Sequence, residues 1–172
     1  YNMNSQAQTC PIVGQNAIFL AGEDGLIHAL SFNGKKIWQH QLSRWLPSES
    51  LALWRDLVII STMDSGELGL DDKCLIALDM STGQERWRFE AHAFNLSAPT
   101  VENDSIFFCS SEPKIHAVRA DDGSELWCAD GIDSWTPAAP AAGEGLVFVG
   151  SRGKYIVALD AATGKQMWRF TG

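Results

Sequence analysis

Carboxylates, imidazoles, thiols and indoles are the side chains here with chemistry to offer, and their spacing decides which chemistry is open. The densest carboxylate cluster is Asp64, Glu67, Asp71 and Asp72, with Gly66 and Gly69 between them. An oxygen-rich loop can hold calcium, but the Asp-x-Asp-x-Asp-Gly order of a calcium hand loop is missing. The segment reads as a solvated acidic loop of the kind that makes partner-specific contacts. Three aromatics, Trp45, Phe94 and Trp135, stand seven, seven and eight residues after Trp38, Trp87 and Trp127. Rings at matching places can anchor an extended peptide or strand. These three and the four acidic residues are the candidate partner-binding residues. His28 and His116 each stand one residue before an alanine. They lie in non-adjacent parts of the chain and read as strand residues with local hydrogen bonds, not as joint metal ligands. His40 and His92 have no evident partner. No Ser, His and acid sit in the frame of a hydrolase, and no glycine-rich phosphate loop occurs. No catalytic residue and no metal ligand is assigned.

The elements that must position these residues repeat. Trp38, Trp87, Trp127 and Trp168 recur at spacings of 49, 40 and 41 residues. Gly34, Gly83, Gly123 and Gly164 stand four residues before them, and Ala29, Ala77, Ala117 and Ala158 five or six residues earlier still. An aliphatic residue follows each alanine: Leu30, Leu78, Val118 and Leu159. Four copies of one spacing define a tandem repeat of about 41 residues. An insertion over residues 63–73, which carries the acidic cluster, accounts for the longest gap.

Each unit also holds strand signals. Ile18-Phe19-Leu20, Val58-Ile59-Ile60, Ile106-Phe107-Phe108 and Leu146-Val147-Phe148-Val149 are short apolar runs bounded by polar residues, as strands buried on both faces require. Pro11, Pro99 and Pro140 precede those runs and suit the start of an earlier strand, where a missing N–H costs little. The repeat glycine supplies the positive φ of a tight hairpin, and Asp79 and Asp160 are placed to accept backbone N–H bonds in that turn. Trp87-Arg88-Phe89 and Trp168-Arg169-Phe170 alternate apolar and charged, as a half-exposed outer strand does. No stretch sustains a 3.6-residue period. Each unit is therefore predicted to be a four-stranded antiparallel meander, the blade of an all-β propeller. A large ring opposite a small alanine lets twisted sheets interlock without a void. The propeller domain spans 9–172, with blades at about 9–42, 49–90, 97–130 and 137–170, after a linker or disordered segment over 1–8.

The string Ala-Leu-Asp-x-x-Thr-Gly-x-x-x-Trp, intact from Ala77 to Trp87 and from Ala158 to Trp168, resembles the tryptophan-docking motif of PQQ-like propellers, the quinoprotein dehydrogenase family. The third unit departs from it through Arg119 and Asp122, and the first is one residue shorter, through Ser31 to Gly34. The resemblance implies the propeller fold over nearly the whole chain. It implies function less sharply, because the family holds enzymes and non-catalytic scaffolds alike. Its enzymes combine a catalytic Asp, a calcium site and commonly a vicinal Cys-Cys disulfide beside the quinone. This sequence has no adjacent cysteines, and no acid in it can be matched to the catalytic one. The resemblance therefore points to the non-catalytic branch, which includes a periplasmic lipoprotein that assists outer-membrane β-barrel assembly. On that basis the protein is expected to be extracytoplasmic, to use no cofactor and to bind a protein or peptide through its loop rim. The alternatives are part of a PQQ- and calcium-dependent dehydrogenase, or a sensor domain of a larger receptor or kinase.

Four blades leave no strand to join the last to the first, so the chain is expected to be half of an eight-bladed ring or a fragment of a larger propeller, with an unusual four-bladed ring as the remaining alternative. Its apolar end faces then call for self-association or additional blades. Thirteen basic against twenty-one acidic residues give a net charge of −8, which opposes nucleic acid as a partner. No apolar run approaches the roughly 18 residues of a membrane helix. Cys109 and Cys128 fall two strands apart in one blade, about 9–10 Å by strand spacing, beyond the reach of a disulfide. Cys10 and Cys74 fall in different blades. Four reduced, buried thiols are expected.

Overall fold

The computed structural model describes residues 6–7, 9–42, 51–62, 74–91, 96–130, 132–133 and 136–171. Among them are sixteen strands and no α-helix. The first sheet takes β1 (Ile12–Val13), β2 (Ile18–Ala21), β3 (Leu26–Leu30) and β4 (Lys36–Gln41) in that spatial order. The second takes β5 (Leu51–Trp54), β6 (Leu57–Ser61), β7 (Cys74–Asp79) and β8 (Glu85–Glu90). The third takes β9 (Thr100–Glu102), β10 (Ser105–Cys109), β11 (Lys114–Arg119) and β12 (Glu125–Asp130). The fourth takes β13 (Ala141–Gly143), β14 (Leu146–Ser151), β15 (Tyr155–Asp160) and β16 (Gln166–Thr171). Each sheet is a plain antiparallel meander, and the predicted apolar runs are the second strands. Pro11, Pro99 and Pro140 each stand one residue before a first strand. Gln6 and Ala7, expected in a linker, instead meet the first sheet: Ala7 bridges Gly22, and Glu23 N–H donates to Gln6 O.

The repeat residues fall into one register. Ala29 faces Trp38, Ala77 faces Trp87, Ala117 faces Trp127 and Ala158 faces Trp168, and each sheet carries an irregularity immediately after that alanine. The apolar core is not one mass but three layers between neighbouring blades. One layer sets Phe19, Ile27 and Trp38 of the first sheet against Val58, Ile60, Ile76 and Leu78 of the second. A sheet apolar on both faces leaves no other economical place to bury its side chains.

At the junctions each indole crosses to the hairpin of the next blade. Trp38 Nε1–H donates to Met80 O at 3.0 Å, Trp87 to Ala120 O at 3.1 Å and Trp127 to Ala161 O at 2.9 Å. The ring lies flat over the hairpin glycine. A Cβ added at Gly83 would stand 2.6 Å from the Trp38 ring, at Gly123 2.5 Å from Trp87 and at Gly164 2.7 Å from Trp127. These glycines also have φ near +70°, so backbone sterics and the facing ring both require a residue without a side chain. Trp38, Trp87 and Trp127 are 8–9 % exposed, whereas Trp168, on the last blade, is 43 % exposed.

Candidate functional site

Two ends of the blades are built differently. At one end the first-strand turns are tight: Arg55, Asn103 and Glu144 take positive φ. The peptides at Met80, Ala120 and Ala161 donate their N–H groups to Asp56 O, Asp104 O and Gly145 O at 2.7–2.9 Å. Their carbonyls take the indoles of the preceding blades, so each hairpin is clamped from both sides. At this end, between the first and second sheets, lies a cleft of about 570 Å³ bordered by Ala17, Ile37, Met80, Arg55 and Asp56. Gln15, Asn16 and Ser81 complete its lining.

The other end carries the loops in which the candidate binding residues fall. Trp45, Phe94, Trp135, Asp64, Glu67, Asp71 and Asp72 all lie outside the described residues. What is described is the footing of those loops. Before Trp135, Ile132 is buried, Asp133 N–H donates to the Tyr155 hydroxyl at 2.6 Å, and the Asp133 carboxylate pairs with Arg169 at 3.0 Å. The Arg169 guanidinium lies over the Tyr155 ring, 3.4 Å from its centroid, so the loop leaving the third blade is tied to the fourth. After Phe94, Ser97 N–H donates to Cys109 O at 2.8 Å and Ser97 Oγ accepts from Cys109 N–H at 2.9 Å. Thr9 makes the same pair of bonds with Ala21 in the first blade. Sequence reasoning missed these two anchors. Their signal was a hydroxyl two residues before Pro11 and Pro99, where a side chain can extend a sheet whose own N–H is lost.

The thiols correct one expectation. None of the four cysteines is in a disulfide, but only Cys74 and Cys109 are buried; Cys10 and Cys128 are exposed. Cys10 precedes its sheet, and Cys128 lies on β12, an edge strand of the third sheet, opposite His116. Burial pushes the Cys109 thiol up to about 12, which leaves it unreactive. The two histidines do occupy equivalent places, opposite Gln39 and Cys128 in their registers. His116 Nε2 stands 2.9 Å from Ser110 Oγ, a local contact as expected. Burial pulls His116 down to about 4, with Lys114 adding to the effect, so the ring is neutral near neutral pH.

Comparison with known proteins follows this architecture. A family model described as outer membrane protein assembly factor BamB matches residues 23–169. The outer membrane protein assembly factor BamB of Nitrosomonas eutropha is 23 % identical over 166 residues, covering 94 % of this chain and 38 % of that protein. The quinohemoprotein alcohol dehydrogenase ADH IIB of Pseudomonas putida is 25 % identical over 154 residues, covering 77 % and 21 %. The chain thus spans well under half the length of either relative. The crystal structure of BamB from Moraxella catarrhalis superposes with a TM-score of 0.76 at 17 % identity, over 99 % of this chain and 53 % of that one. At that identity the likeness concerns the fold.

Proposed function

We propose that this chain, which belongs to the outer membrane protein assembly factor BamB family, is a non-catalytic β-propeller scaffold that holds a protein partner on its loop rim. The observation that carries the reading is the use made of the indoles. Three of them commit both ring face and N–H to the next blade, which supports a role as mortar in a rigid frame. A rigid frame presents rim side chains already ordered, so little entropy is lost on binding. The relatives named for outer membrane protein assembly support a polypeptide as the partner, captured in extended form by Trp45, Phe94 and Trp135 with the acidic insertion beside them. Titrating labelled, alternately apolar strand peptides against the chain tests this. The double variant Trp45→Ala/Trp135→Ala is expected to bind about tenfold or more weakly; equal affinity would refute the rim assignment.

The end faces extend the proposal. Phe148, Ile156, Trp168 and Phe170 line the outer face of the last sheet, with Phe170 62 % exposed. In the second blade the residue equivalent to Phe170 is Phe89, which packs edge-on to Phe108 and His116 of the third. The corresponding positions of the first sheet are Leu20 and His28, both already buried within the chain, beside the half-buried Ile18 and Leu30 and the exposed Val13. The last sheet thus exposes the aromatic side chains that an inner blade buries against its neighbour. A second copy joined head to tail covers both faces and makes eight blades.

A second reading has one observation in its favour, the match to a quinohemoprotein alcohol dehydrogenase. Under it the chain is part of an enzyme that uses PQQ and calcium. Saturable quenching of tryptophan fluorescence by PQQ in the presence of calcium would support that reading over the scaffold.

A further inference from the structure

Three ligand-type side chains meet on one face of the third sheet. His116 on β11 and Cys128 on β12 are directly opposed, and the irregularity at Ala117/Val118 brings Glu125 to the same side. One donor atom from each residue lies within 4.8 Å of the other two, and His116 Nδ1 stands 3.9 Å from a Glu125 carboxylate oxygen.

The imidazole is held in one state. Ser110 gives its only hydroxyl hydrogen to the Glu112 carbonyl at 2.7 Å, so its oxygen must accept from His116 Nε2–H at 2.9 Å. The neutral ring then keeps a bare lone pair on Nδ1. That nitrogen is buried without a hydrogen-bond partner among the described residues, on a side chain only 7 % exposed. Phe108 stacks on the ring with centroids 5.0 Å apart, and Phe89 of the neighbouring blade meets it edge-on at 6.2 Å. A buried acceptor with no donor is uncommon and asks for a partner that the described residues do not supply.

The repeat provides its own comparison. The same three positions hold Ile76, Glu85 and Arg88 in the second sheet, where Glu85 closes on the Arg88 guanidinium at 2.9 Å. They hold Val157, Gln166 and Arg169 in the fourth, and His28, Lys36 and Gln39 in the first. The blade therefore has no need of imidazole, thiol and carboxylate together. In the third sheet the carboxylate keeps its place while the arginine that would neutralise it has become a thiol. Lys114, nearby, pairs with Glu112 at 4.0 Å.

We propose that His116, Glu125 and Cys128 form a binding site for a borderline-soft divalent cation of the zinc class. Imidazole nitrogen, thiolate sulfur and carboxylate oxygen are the donors such an ion prefers. Side-chain rotation of the exposed Glu125 and Cys128 draws the donors in to the roughly 3.5 Å separations of a tetrahedral zinc shell. Cys128 releases its thiol proton to solvent on coordination. Water, or a donor from a bound partner, takes the fourth position.

Cobalt(II) titration of the 172-residue chain under reducing conditions tests the site, since a thiolate ligand gives cobalt a charge-transfer band in the near ultraviolet. The expected result is one Cys128-dependent cobalt per chain, displaced by zinc. Cys128→Ser abolishes the band, Glu125→Gln weakens binding by about tenfold or more, and Cys10→Ser, at the other exposed thiol, changes nothing. Cys128 and Glu125 are both exposed, so the variants keep the fold, which far-ultraviolet circular dichroism without metal checks. No thiolate-to-cobalt band in the unmodified chain, or a band that survives Cys128→Ser, would overturn the site.

Discussion

At the scale of the residue, the indole of one blade and the glycine of the next form a single steric unit. Trp87 buries its ring on Gly123 and gives its N–H to Ala120 O. Trp87→Ala removes both contributions and is expected to cost about 3–5 kcal/mol in urea denaturation. Trp87→Phe retains much of the area but strands the carbonyl, at about 1–2 kcal/mol. Gly83 and Gly145 both have positive φ, near +70°, but only Gly83 faces a ring, while a Cβ at Gly145 would meet nothing within 4 Å. Gly83→Ala should therefore destabilise more than Gly145→Ala, the difference measuring the clash with Trp38. Equal losses would mean that backbone conformation alone sets the glycine. The spacing of alanine, glycine and tryptophan was legible in the sequence because each is demanded by close packing at a fixed register. The carbonyl that receives each indole was not, since it belongs to a different repeat, 33 to 42 residues away, and no local pattern marks it.

At the scale of the element, the β7–β8 hairpin is organised by one carboxylate. Asp79 accepts from the backbone N–H and hydroxyl groups of Ser81 and Thr82 at 2.6–3.0 Å and pairs with Arg86 at 3.1 Å. These bonds, the Ser81 hydroxyl foremost, hold its pKa well below the usual carboxylate range. A carboxylate whose pKa is depressed on folding adds stability that is full above its unfolded pKa and drains away as pH falls toward the folded one. The stability gap between the parent chain and Asp79→Asn should thus be constant near neutrality and narrow below about pH 4. A gap unchanged at about pH 3 would contradict the role. Asp79 and Asp160 were readable as turn braces because their hydrogen bonds are local; Asp160 binds Thr163 in the same way. The candidate rim was readable only as positions within loops, since Trp45, Phe94 and Trp135 have no periodic neighbour to fix where they point. The His116, Glu125 and Cys128 cluster escaped the sequence for a related reason. Cross-strand register and an irregularity bring the three together, whereas ligand motifs are recognised by spacing along the chain.

At the scale of the whole molecule, stability is distributed over the three junctions between neighbouring blades, and the last sheet leaves Trp168 and Phe170 exposed. The first sheet's hairpin is one residue tighter than the others, with Gly34 N–H bonding Ser31 O where Gly83 reaches back to Asp79. In the proposed head-to-tail pairing the contact therefore draws mainly on the apolar faces, with Trp168 and Phe170 as its largest rings. The four-blade count was plain from the repeat, but what covers the ends lay beyond sequence pattern, because closure is a property of the assembled ring. The most direct measurement is the solution mass of the 172-residue chain and of Trp168→Ala by light scattering. Head-to-tail blade packing predicts twice 18.9 kDa for the parent chain, falling toward 18.9 kDa in the variant. A parent chain that stays at the single-chain mass, or a variant that keeps the double mass, would contradict it.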